Sequence, residues 1–105
     1  MASRSMDLLV FQKKADEVAQ ILKAVGNTRR LMVLCKLVEH GERTVRDLAI
    51  DIGLSQSALS QHLARMREEG LVTFRRESQS IWYRIADHRI EALFATLYRL
   101  YCQED

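Results

Sequence analysis

Ser55-Gln56-Ser57-Ala58-Leu59-Ser60-Gln61-His62-Leu63-Ala64-Arg65 can be read as one helix with two unlike faces. Ala58, Leu59, Leu63 and, beyond the stretch, Met66 recur at helical spacing and point inward. Gln56, Ser57, Ser60, Gln61 and Arg65 take the outward positions between them. Ser55 supplies the N-cap and Gly70 closes the helix. Upstream, Thr44 followed by Asp47 opens a shorter helix that faces Val45, Leu48 and Ile52 inward and stops at Gly53. Only Gly53 and Leu54 lie between that stop and the Ser55 cap. Two helices joined so tightly make a helix-turn-helix, whose second helix is the one expected in a DNA major groove.

Downstream of Gly70 the period changes from helical to alternating. Val72 and Phe74 alternate with Thr73 and Arg75, and Ile81, Tyr83 and Ile85 alternate with Trp82 and Arg84. Glu77-Ser78-Gln79-Ser80 is the polar turn between two strands, and a hairpin placed directly after the second helix is a wing. Asp87 then caps a last helix carrying Ile90, Leu93, Phe94, Leu97, Tyr98, Leu100 and Tyr101, more apolar surface than one buried stripe accounts for. Upstream, after a short apolar patch from Leu8 to Phe11, Phe11, Ala15, Val18, Leu22 and Val25 draw a stripe along a first helix that ends at Gly26. Asn27 or Thr28 caps a second, central helix through Leu31-Met32-Val33-Leu34-Cys35, Leu37 and Val38, ended by His40-Gly41. The expected fold is therefore mainly α with a two-stranded β wing, a winged helix-turn-helix: four helices, the wing, then a closing helix. It forms one domain over residues 1–105, and the surplus apolar surface of the first and last helices is expected to pair two copies as a homodimer.

Composition agrees with this architecture. A chain of 105 residues with 48% hydrophobic and 29% charged residues suits one globular domain, and the absence of proline suits long helices. The net charge of +2 permits nucleic-acid binding without requiring it. Met1-Ala2-Ser3-Arg4-Ser5 and the patch after it are too short for a signal peptide or a membrane span, so a cytoplasmic protein is expected. In that reducing compartment Cys35 and Cys102 are buried thiols, metal ligands or redox groups rather than a permanent staple.

The outward face of the Ser55–Arg65 helix has the chemistry of a base reader. Amides pair bidentately with adenine, arginine with guanine, and serine hydroxyls bond phosphates or bases. Arg75 and Arg76 near the wing tip, with Gln79 across the turn, can reach phosphates or the minor groove, although Glu77 dilutes their field. The candidate DNA-contacting set is Ser55, Gln56, Ser57, Ser60, Gln61, His62, Arg65, Arg75, Arg76 and Gln79. His40, His62 and His88 are scattered singly and form no ligand cluster, so no metal or other cofactor is expected. The chain lacks Cys-x-x-Cys and is not expected to be an enzyme.

Leu54 to Leu63, Arg67-Glu68-Glu69-Gly70-Leu71-Val72 and Tyr83 resemble the ArsR/SmtB family of dimeric repressors, from about Ala19 to the end of the chain. The resemblance implies binding of a palindromic operator in double-stranded DNA by a homodimer. Metal sensors of that family carry Cys-x-Cys in the third helix or spaced Asp and His along the last. Here the third helix reads Thr44-Val45-Arg46-Asp47-Leu48-Ala49, and the last has Asp87 and His88 without a second histidine. Cys35, Cys102 and the wing tip Glu77-Ser78-Gln79 instead resemble the branch of the family that senses persulfides and oxidants. This likeness implies that Cys35 and Cys102 join through a disulfide or polysulfide bridge and that the operator is then released. Such a bridge needs the two Cα atoms within roughly 7 Å or a longer sulfur chain between them. A metal-responsive repressor and an anti-repressor that competes with another DNA-binding protein are the alternatives.

Overall fold

Side-chain caps set where the helices begin. In the computed structural model, which describes residues 7–102, Asp7 caps α1 (Leu8–Val25) by accepting the Leu9 N–H at 3.0 Å. The apolar patch Leu8–Phe11 is thus the first turn of α1, so the helix starts earlier than its apolar stripe suggests. Asn27 caps α2 (Thr28–His40) through the N–H groups of Arg29 and Arg30 at 3.0 and 3.2 Å. The Thr44 hydroxyl accepts from Asp47 at the start of α3 (Val45–Ile52), and the Ser55 hydroxyl accepts from Ala58 at the start of α4 (Gln56–Glu68), both at 3.1 Å. Gly53, at φ 73°, takes the left-handed conformation that ends α3 and lets α4 begin so soon after it. The expected helix-turn-helix is present.

The wing differs from expectation in two details. The antiparallel sheet has three strands, β1 (Arg43–Thr44), β2 (Val72–Glu77) and β3 (Ser80–Ile85), in the order β1-β3-β2. β1 pairs Arg43 with Tyr83 and Thr44 with Trp82, and a two-residue strand is too short to leave an alternating pattern. The turn is also tighter than the four residues expected, because Glu77 pairs with Ser80 and leaves only Ser78 and Gln79 in the loop. Asp87 caps α5 (His88–Leu97), after which the chain widens into a π-helical turn over Tyr98–Cys102, which apolar spacing did not distinguish from continued α-helix.

The core gathers Val33, Leu34 and Leu37 of α2, Leu48 of α3, Leu59, Leu63 and Met66 of α4, and Phe94 of α5, all fully buried. α2 is central, as its many apolar faces required. α1 is not: of its stripe only Val25 is buried, while Phe11, Val18 and Leu22 stay exposed. Leu100 and Tyr101 in the terminal turn are exposed as well. Met1–Ser5, expected to be too short for a signal peptide, and residues 103–105 at the end of the expected domain lie outside the described residues.

Candidate nucleic-acid interface and thiol pair

Burying Leu59, Leu63 and Met66 turns the other side of α4 outward, and Gln56, Ser57, Ser60, Gln61 and Arg65 are all exposed on it. His62 is half-buried at the flank of that face. Ser55 is exposed, but its hydroxyl is engaged in the cap. Arg30 ties this helix to α2: its guanidinium meets the Glu69 carboxylate at 2.7 and 3.2 Å and donates to the Ala24 carbonyl at 2.8 Å.

The two wing arginines, alike in sequence, do different things. Arg75 is clamped by Glu42, with Nε to Oε2 and Nη2 to Oε1 both 2.9 Å, and by Glu77 at 3.1 Å, and it lies over the Trp82 ring at 5.5 Å. The guanidinium beside it holds the Glu42 carboxyl below its ordinary pKa, and the Arg75 value is raised in turn. Arg75 therefore braces the wing against the segment after α2. Glu77 is thus the second carboxylate on this one guanidinium. Arg76 is exposed over the Phe74 ring at 5.7 Å and forms no ion pair among the described residues, and Gln79 is exposed in the loop. Glu42 escaped the sequence reading because 33 residues separate it from Arg75 and no local pattern links them.

Cys35 is half-buried in α2 and Cys102 is exposed in the π-helical turn. The two are 67 residues apart in sequence, yet the Cys102 thiol donates to the Cys35 Sγ at 3.7 Å. Burial, reinforced by Cys102 beside it, pushes the Cys35 thiol up to about 11. At neutral pH Cys35 is therefore a protonated thiol rather than a ready thiolate. The pair opens into a cavity of about 510 Å³ lined also by Leu31, Met32, Lys36 and Tyr98. Among the described residues, no group of three or more His, Cys, Asp or Glu side chains could hold a metal ion. No described helix is long and apolar enough to cross a membrane.

A model of bacterial regulatory proteins of the arsR family matches residues 27–73. The chain is 43% identical over 98 residues to the transcriptional activator HlyU of Vibrio cholerae, covering 93% of this chain and 90% of that protein. It is 40% identical over 94 residues to the biofilm growth-associated repressor of Xylella fastidiosa, covering 90% and 82% respectively. Among solved structures, reduced HlyU from Vibrio cholerae superposes with a TM-score of 0.81 at 43% identity, covering 89% of this chain and 97% of that one.

Proposed function

The chain belongs to the arsR family of bacterial regulatory proteins and is a DNA-binding transcriptional regulator, and we propose that it is a homodimeric operator-binding repressor switched by its Cys35–Cys102 thiol pair. The separation of 3.7 Å between the two sulfurs carries this reading. A disulfide needs them at about 2.0 Å, a small further approach for two side chains already in contact. Closing the bond removes two electrons and two protons from the thiols. With an organic persulfide as oxidant, its S–S bond accepts them and leaves as one thiol and one hydrogen sulfide; with peroxide the products are two waters. The solved relative described as reduced HlyU suits a redox-responsive reading.

In the proposed complex Gln56, Ser57, Ser60, Gln61 and Arg65 read base edges, with Ser55 and His62 at the margins. Arg76 and Gln79 reach the neighbouring backbone or minor groove, and Arg75 orients the wing that carries them. The exposed apolar residues of α1 and of the terminal turn are the surface on which two copies pair, setting the two α4 helices roughly 34 Å apart, one turn of duplex. A bridge from Cys35 to Cys102 ties central α2 to the terminal turn and so favours a different dimer geometry. A coupling of ~1–3 kcal/mol weakens operator binding about 5- to 150-fold.

The test is operator titration of wild type, Cys35→Ser and Cys102→Ser before and after treatment with an organic persulfide or diamide. All three bind when reduced, and only wild type lets go; a serine variant that still releases DNA contradicts the two-thiol switch. The relatives include both an activator and a repressor, which favours a second reading of the sign alone: activation by displacing another repressor from a shared site. A promoter reporter with and without the competing repressor separates the two.

A further inference from the structure

A cleft of about 550 Å³ lies between the start of α3, the exposed face of α4 and the wing tip, with Arg46, Gln56, Ser60, Gln79 and Trp82 among its walls. Three segments distant in sequence meet there. The two grooves of a duplex are separated by one sugar-phosphate strand. If α4 lies in the major groove and the wing tip reaches the adjacent minor groove, that strand has to pass between them.

Resting on the DNA-binding reading above, we infer that this cleft seats a phosphodiester of the strand dividing the two grooves, with Arg46 as the cation that holds it. Arg46 is exposed in the first turn of α3 and forms no ion pair among the described residues. The one acid beside it in the cleft, Asp47, faces Arg43 at 3.6 Å, and Arg43 is itself paired with Asp51 at 3.0 Å. Among the described residues Arg46 is therefore the unpaired cation of the cleft, while the single charge of Arg43 is shared between Asp47 and Asp51. Gln79 on the opposite wall is an uncharged donor that suits phosphate oxygens. A contact of this kind adds affinity without reading sequence. It also fixes the angle at which α4 enters the groove.

The experiment compares wild type with Arg46→Gln and Arg46→Lys, all in the reduced form, by fluorescence anisotropy on operator and on an unrelated duplex from 50 to 200 mM salt. Arg46→Gln weakens binding to both duplexes by the same factor. Its plot of log affinity against log salt is shallower by about one, so the ratio of wild-type to variant affinity shrinks about three- to fourfold across that range. Arg46→Lys keeps the wild-type slope, which shows that charge is the operative property and that α3 tolerates replacement. An unchanged slope in Arg46→Gln overturns the phosphate seat, as does a loss confined to operator, which assigns Arg46 to base reading. If wild type itself binds neither duplex, the DNA-binding reading fails first, an outcome distinct from wild-type binding with an indifferent variant.

Discussion

The α4–wing region and the pairing of α1 with the terminal turn treat their surfaces in opposite ways. In α4 every large apolar side chain is buried and the exposed face is polar, so one chain completes that region. In α1 and the terminal turn large apolar side chains are exposed beside the polar ones, with Leu9 at 73% and Tyr101 at 80% exposure. Those apolar residues are the surface on which the proposed dimer pairs. In the proposed dimer the reading head is built by one chain, whereas the spacing between two heads depends on the part that chain leaves open, and the Cys35–Cys102 contact lies against that part.

The largest effect comes from breaking the completed region. Leu63→Ala opens a hole in a fully buried site and costs about 2–5 kcal/mol, read as a lower denaturation midpoint in urea. Breaking the open region acts on assembly instead. Leu22→Glu places a charge on the exposed stripe of α1 and weakens the proposed dimer by ~2 kcal/mol, seen by sedimentation, while the secondary structure of the monomer by circular dichroism stays as it was.

The thiol pair sharpens the comparison through pH. Because the Cys35 thiol is raised from the ordinary 9.0 to about 11 in the folded chain, the folded state holds its proton where the unfolded state loses it. That contribution is fully present below pH 9 and is lost as pH rises through about 11. Thermal melting of the reduced protein across this range falls more steeply for wild type than for Cys35→Ser, and parallel curves contradict the shift. The smallest effect is expected at the wing brace. Glu42→Ala frees Arg75 with little change in thermal stability, since the pair is solvent-exposed, and lowers operator affinity less than Arg76→Ala does in anisotropy titrations.

What sequence made legible divides along the same line. Thr44, Gly53, Ser55 and Gly70 punctuate α3 and α4 through local rules of caps and left-handed glycine, so the helix-turn-helix could be read without tertiary knowledge. The two long strands followed from alternation. β1 did not, because two residues have no period and Arg43–Thr44 is a strand only through its pairing with β3. The π-helical turn at Tyr98–Cys102 was hidden because apolar spacing over five residues fits either helix type. The candidate readers on α4 could be named from residue type and phase, but the different roles of Arg75 and Arg76 could not, since Glu42 reaches Arg75 across 33 residues. The cysteines were visible as a pair only by resemblance. Their contact depends on how α5 and the terminal turn pack against α2, which is a property of the assembled core.

The central claim is tested most directly by measuring intact mass and operator anisotropy on one sample of reduced protein during titration with glutathione persulfide. A two-thiol switch gives a loss of two hydrogens, with or without added sulfur, mapping to a Cys35–Cys102 link and rising in step with DNA release. Quantitative linkage with the operator still bound contradicts it.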